Sequence, residues 1–516
     1  MILAARLFLE ALRFDLEPED EVRRKADRAL ALGAGGFVIF GGEAEWIARW
    51  ASEWRSAVRH RLWIASDLER GPGQQFGGLP ELPPPMGLAA CPDPIEAARE
   101  AGRITGSGAR EAGVNLVLAP VLDLDVEPRN PIVGTRSFGA RPEEVGRLGR
   151  AWIEACQAEG VGACAKHFPG HGRTTADSHD ELPVVPAGRA ELAEDLDPFR
   201  AVADLAAAFM TAHVAYPALG SPRPATLEPR LLEELLREEM RFEGIVVTDA
   251  LNMSGFTDAV DLPGDPDGAA AGAVAALNAG CDLLLYPADL ERSARLLDRA
   301  ALADMSTGDR LEASLRRLEE TARRVRPAAR AESEPATAES HDGIGPVRVS
   351  HTAEAASLAF DSIRLVGERP WRIRPAIPLR IVSIWDDRPE PARAPLGSLF
   401  AEELRRHGWT VVDADARISD PESAQTVLLI ASTPQAWKGT ASLTDVGRRA
   451  VEEALDLHPN AWPIVFGHPR LLAELGSEAR GMIAWATEEA MERAAAARLD
   501  AEFREAEGDR PGASLA

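Results

Sequence analysis

Residues 166–183, KHFPGHGRTTADSHDELP, gather three histidines, a lysine, an arginine and three acidic side chains among glycines and prolines. Pro169, Gly170 and Gly172 prevent a continuous helix, and so polar a stretch is a poor core strand, so a loop is expected. Such a loop has three candidate tasks: holding a metal, holding a phosphate, or helping to break a substrate bond. Asp177 and His179 form a D-x-H pair. A carboxylate within reach of an imidazole fixes its tautomer and stabilises its protonated form, which suits it to general acid–base work near neutral pH. Lys166 and His167 could contact hydroxyls or phosphate; a buried ion pair and a satisfied core histidine are the purely structural readings. In VVTDALNM, Asp249 follows an apolar run directly. A carboxylate there can attack an electrophilic carbon or bind a cation, or merely cap a helix.

Four of the ten histidines, His167, His171, His179 and His213, fall within residues 167–213. That keeps a zinc-dependent hydrolase open. The spacing is neither H-E-x-x-H nor H-x-H, and Asp249 has a metal-free role, so no metal and no cofactor are expected.

Elements must bring these residues together. Candidate strands are GFVIF (36–40), LWIASD (62–67), VNLVLAP (114–120), VGACAKH (161–167), AAFMTAH (207–213), GIVVTDA (244–250) and CDLLLYP (281–287), with an eighth hidden around LFLEALRF. Amphipathic segments such as DPIEAAREAGRITGSGAREAG (93–113) lie between them. Apolar strands alternating with helices predict an N-terminal (β/α)8 TIM-type barrel, with a doubly wound sheet as the alternative. No glycine-rich dinucleotide fingerprint supports the latter. In a barrel, Asp67, Asp123, Lys166, His167, His213 and Asp249 all stand at strand ends and would crowd one mouth.

A chain of 516 residues is too long for one ordinary core. Residues 327–346 are rich in Ala, Ser, Glu and Pro, without apolar periodicity, and are expected to be a linker. The barrel is therefore placed at 1–326, a smaller α/β sandwich domain at 347–505 and a frayed tail at 506–516. Strands of the second domain are expected at 379–386, 425–432, 462–469 and 482–487. A net charge of −25 opposes binding to nucleic acid. No apolar run is long enough to span a membrane. The start lacks the organisation of a secretory signal, and the cysteines, Cys91, Cys156, Cys164 and Cys281, are few and dispersed, so a cytoplasmic location is expected.

AKHFPGHGRTTADSHDELP resembles the signature loop of family 3 glycoside hydrolases, in their β-N-acetylglucosaminidase (NagZ-like) branch. SDLERGPGQQFGG, LAPVLDLD, GTRSFG, MTAHVAYP and VVTDALNM resemble further motifs of that family, in family order. The similarity runs over roughly residues 30–290. It departs after DLERG, where PGQQF replaces a more usual valine and arginine ahead of the phenylalanine.

The resemblance implies a retaining, exo-acting enzyme that hydrolyses terminal β-linked N-acetylglucosamine from muropeptide or chitin-type oligosaccharides, with peptidoglycan recycling as the setting. It implies Asp249 as nucleophile, His179 oriented by Asp177 as acid–base, and Asp67, Arg136, Lys166 and His167 as sugar-binding residues. Family 3 β-glucosidases draw a glutamate acid–base from the second domain, so the D-x-H pair implies a non-catalytic second domain. A histidine acid–base adds no negative charge near the anomeric carbon, so a phosphorylase using phosphate in place of water is the alternative. The expected partner is a small oligosaccharide; protein partners are not indicated.

Overall fold

The computed structural model describes residues 2–176, 182–260, 266–325, 351–367, 377–386, 395–412, 425–432, 442–475 and 480–507. Eight strands close into a barrel: β1 (Phe8–Arg13), β2 (Gly36–Phe40), β3 (Trp63–Ser66), β4 (Leu116–Val117), β5 (Gly162–Phe168), β6 (Ala208–Thr211), β7 (Ile245–Ala250) and β8 (Leu283–Leu285). Each is parallel to its neighbours, and β8 closes on β1 through Phe8 opposite Leu284. The chain order of the strands is their spatial order, as short right-handed strand–helix–strand connections dictate. The eighth strand expected near the N-terminus is β1, preceded by a 3-10 turn over Leu3–Leu7.

β4 is shorter than the apolar run around it. Pro120 has no N–H to give to a ladder, so regular pairing stops at Val117. The segment still runs beside β5: Lys166 N donates to Pro120 O at 3.1 Å and Leu122 N to Lys166 O at 2.7 Å. The helix expected over 93–113 spans Pro94–Glu111, with Asp93 accepting the Glu96 N–H as its cap. β5 ends one residue beyond the strand expected at 161–167: Lys166, His167 and Phe168 complete it and are buried. Burial of Lys166 and His167 is tolerated because each meets a carboxylate.

Among the described residues a second unit carries six strands in the order Arg364–Val366, Gly481–Ile483, Trp462–Gly467, Gln425–Ser432, Leu379–Trp385, Val411–Val412. All are parallel except the first, which pairs antiparallel with Gly481–Ile483. Four were expected; Arg364–Val366 and Val411–Val412 are short, partly exposed edge strands with little apolar signal. Helices Ser398–Arg406, Asp445–Leu457 and Glu489–Glu507 accompany the sheet, so the chain is a parallel barrel followed by a smaller mixed α/β domain. The expected linker at 327–346 lies outside the described residues. All four cysteines are buried, as isolated small apolar residues would be. Among the described residues no helix is long and apolar enough to cross a membrane.

Candidate active site

The C-terminal ends of the barrel strands carry a connected set of charged groups. Lys166, at the end of β5, sends its ammonium to Asp67 Oδ1 at 2.7 Å and to Glu69 Oε1 at 2.7 Å. Both carboxylates follow β3. Arg136, on a 3-10 turn after β4, grips Glu69 with two parallel bonds, Nε to Oε2 at 2.8 Å and Nη2 to Oε1 at 2.7 Å. Its Nη1 donates to Ile132 O at 2.9 Å. Two cations thus meet two anions in a chain buried at Lys166 and Glu69 and half-buried at its ends, Asp67 and Arg136. Burial alone would raise the Glu69 carboxyl, but Arg136 and Lys166 outweigh it and hold it well below the usual carboxylate range. For Lys166, burial works against the charge, and Asp67 and Glu69 more than reverse it, so its pKa is raised.

Asp123 organises the next layer. It is buried after β4 and accepts from His167 Nδ1 at 2.6 Å and from the His171 backbone N–H at 2.6 Å. The proton on Nδ1 leaves His167 Nε2 as its other polar atom. Burial would raise the Asp123 carboxyl, and the His167 and His171 contacts keep it lowered.

Asp249 lies at the end of β7 and is half-buried. Its Oδ1 accepts the Ala250 N–H at 2.8 Å. The next helix begins at Ser254 with Met253 at its cap position, so Asp249 caps no helix. Burial opposes its charge, yet His213, His167, the Ala250 N–H and Lys166 together hold its pKa below the ordinary value. His213 buttresses this turn: its Nε2 lies 3.1 Å from Ala250 O and its Nδ1 2.7 Å from Thr226 Oγ1. A carbonyl only accepts, so Nε2 carries a proton directed at Ala250 O. Burial lowers the His213 pKa, and the Asp249 charge and the Ala250 contact offset that only in part.

The root of the loop after β5 is firmly held. Asn130 Nδ2 donates to His171 O at 2.9 Å and Thr174 O at 3.1 Å. Tyr216 OH donates to Gly170 O at 2.8 Å, and Arg173 Nε to Asp195 Oδ2 at 2.8 Å. Gly172 passes so close to Leu124 that a Cβ would stand 1.9 Å from its carbonyl oxygen. Asp177 and His179 lie outside the described residues.

Of the residues singled out from the sequence, Lys166, Asp67 and Arg136 therefore join one network through Glu69, and His167 and Asp249 lie beside it. Glu69 itself was missed. It lies two residues after Asp67, in the turn that follows β3, where strand phase no longer marks a residue's side. Asn130 and Thr226 were missed because their partners are distant in sequence. Tyr286, after β8, has a buried hydroxyl with no hydrogen-bond partner among the described residues. Burial, then the charges of Asp67 and Asp249, push its pKa well up. Among the described residues no three His, Cys, Asp or Glu side chains are grouped to hold a metal ion.

A parallel barrel with an ionised carboxylate and a cationic network at its C-terminal mouth defines a barrel enzyme whose chemistry is carried by side chains there. Residues 33–326 match the glycosyl hydrolase family 3 N terminal domain. A beta-hexosaminidase of Pseudomonas aeruginosa is 38% identical over 272 residues, 52% of this chain and 79% of that relative. A glycoside hydrolase family 3 beta-N-acetylglucosaminidase from Paenibacillus sp. str. FPU-7 is 26% identical with a TM-score of 0.76, covering 97% of this chain and 96% of that one. The beta-glucoside phosphorylase BglX shares the fold, at a TM-score of 0.80 and 21% identity over 97% of this chain and 91% of its own. The chain belongs to glycosyl hydrolase family 3 and is a glycoside hydrolase.

Proposed function

We propose that the protein is a retaining, exo-acting β-N-acetylglucosaminidase that removes terminal β-linked N-acetylglucosamine from muropeptide or chitin-type oligosaccharides. The carrying observation is Asp249: a half-buried carboxylate at the end of β7, held ionised beside Lys166 and His167, in a chain 38% identical to a beta-hexosaminidase. Asp67, Arg136, Lys166 and His167 would bind the hydroxyls of the terminal sugar. The barrel is taken as residues 1–326 and the second domain as 347–505, with cytoplasmic cell-wall fragments as the natural supply.

In this reading His179, oriented by Asp177, gives its proton to the glycosidic oxygen as the Asp249 carboxylate attacks the anomeric carbon. The C1–O bond breaks, the alcohol leaves neutral, and a glycosyl ester forms on Asp249. His179, now neutral, takes a proton from water; the oxygen attacks C1, Asp249 departs as carboxylate and configuration is retained. The lowered pKa of Asp249 supports its part, since only the anion is nucleophilic.

The test is turnover of p-nitrophenyl β-N-acetylglucosaminide, assayed with and without phosphate. Release of p-nitrophenol and free N-acetylglucosamine in both conditions supports the hydrolase. A sugar 1-phosphate that forms only with phosphate replaces it with the phosphorylase reading. Undiminished turnover by Asp249→Asn rejects the assigned nucleophile.

A further inference from the structure

Among the described residues the second domain meets the barrel at several places. The helix Thr352–Ser362 packs beside Met86, Ala90 and Cys91, and Arg103 Nη2 lies 3.4 Å from His351 Nδ1. Two further polar contacts each fall beside a residue that holds the site. After the strand Trp462–Gly467, His468 and Arg470 reach across to Asp125, which lies two residues beyond Asp123. Arg470 Nη1 donates to Asp125 Oδ1 at 3.1 Å and Nη2 to Oδ2 at 2.8 Å. His468 Nε2 lies 3.0 Å from the same Oδ2. The Arg470 backbone N–H donates to His468 Nδ1 at 3.1 Å, so Nε2 carries the proton that Asp125 accepts. Asp125 is 8% exposed and His468 4%. The second of these two is an ion pair between Glu488, just before the helix Glu489–Glu507, and Arg70, the neighbour of Glu69.

Buried ion pairs are poor glue, because desolvation consumes most of their attraction. What they supply is direction. A forked guanidinium on a carboxylate fixes both partners' orientation, which an apolar contact would not. The fixed segments matter here. The Asp125 N–H donates to Gly139 O at 3.0 Å, Leu124 O backs Gly172, and Asp123 holds His167 and His171. On the other side, Arg70 N donates to Gln74 Oε1 at 2.8 Å and Arg70 O accepts from Leu82 N at 2.9 Å, so the ion pair grips an already folded turn that carries Glu69.

We propose that the second domain is a positioning element for the barrel mouth: Arg470 and His468 on Asp125, and Glu488 on Arg70, set the segments that carry Asp123 and Glu69. Arg470, His468 and Glu488 are positioning residues and touch no substrate. The proposal rests on reading that mouth as the active site, and it gives the second domain a task that requires no catalytic group from it.

The test compares the full chain with Arg470→Ala, Arg470→Lys and Glu488→Gln. Kinetics on p-nitrophenyl β-N-acetylglucosaminide are expressed per folded molecule, and hydrogen exchange is followed over 69–74, 123–126 and 168–174. Arg470→Ala is expected to lower kcat/KM by about tenfold or more and raise KM, in protein folded as fully as wild type, with Arg470→Lys restoring part. Exchange should quicken over 123–126 and 168–174 in Arg470→Ala, and over 69–74 in Glu488→Gln, while the barrel helices stay unchanged. Kinetic constants within about twofold of wild type in both Arg470→Ala and Glu488→Gln overturn the proposal, as does a loss that tracks only the unfolded fraction at unchanged KM. Should wild type turn over no glycoside, the functional reading fails, and the exchange data still decide: unchanged exchange at all three segments overturns the positioning role.

Discussion

His167 Nδ1 lies 2.6 Å from Asp123 Oδ2, and the other oxygen of that carboxylate accepts the His171 N–H at 2.6 Å. One buried acid thus orients an imidazole at the end of β5 and pins the start of the loop that leads to Asp177 and His179. Asparagine there keeps one acceptor and turns an NH2 toward groups that are themselves donors. Asp123→Asn is expected to lower stability by about 1–3 kcal/mol. It should also lower kcat/KM by about a hundredfold, the scale of an ångström-sized misplacement. Urea unfolding and steady-state kinetics check the two effects separately.

Glu69 neutralises Arg136 and Lys166 together. Glu69→Gln leaves the buried Lys166 with Asp67 alone and the half-buried Arg136 with no carboxylate partner among the described residues, and is expected to cost about 3 kcal/mol at neutral pH. The pH dependence has a definite sign. The folded pKa of Glu69 is depressed, so its contribution is fully present above the unfolded carboxyl's pKa and is lost as pH falls through the folded value. The stability gap between wild type and Glu69→Gln should therefore be widest near neutrality and narrow on acidification. A gap that widens toward acid contradicts the assignment.

Asp249→Asn preserves shape and removes the nucleophile. Turnover of the aryl glycoside should fall by at least about a thousandfold. Because the wild-type carboxyl is held below its ordinary value, any loss of kcat/KM from nucleophile protonation should set in at lower pH than the titration of an ordinary aspartate. A pH–rate profile over the range where the protein stays folded checks this.

Substitution of His179 separates acid catalysis from attack. A p-nitrophenolate leaves with little help, whereas a sugar alcohol needs a proton. His179→Ala should therefore impair a natural oligosaccharide more than the aryl substrate. Equal losses on both would argue against His179 as the proton donor.

The Tyr286 hydroxyl is buried without a hydrogen-bond partner among the described residues. Tyr286→Phe removes a desolvated polar group and no bond, so stability should hold or rise by about 1 kcal/mol. A clear drop in unfolding free energy would reveal an acceptor for that hydroxyl.

Much of the fold was legible because parallel barrel strands are buried on both faces and read as unbroken apolar runs, such as GFVIF and GIVVTDA. β1 was the exception: Glu10 and Arg13 interrupt its run, and its partner β8 lies at the far end of the barrel's sequence. The edge strands Arg364–Val366 and Val411–Val412 escaped notice because partly exposed edges need no apolar pattern.

At the site, the identities of Asp67, Lys166, His167 and Asp249 followed from their phase, each at or just past the end of an apolar run. Local sequence sufficed there, because strand periodicity and the shared direction of barrel strands send such residues to one mouth. Partnership was another matter. That Glu69 ties Lys166 to Arg136, that Ala250 O draws the proton on His213 Nε2, and that Asp125 meets Arg470 depend on groups separated by tens to hundreds of residues. Hydrogen bonds and ion pairs act over a few ångströms, and which residues come that close is decided only when the barrel shuts and the second domain docks.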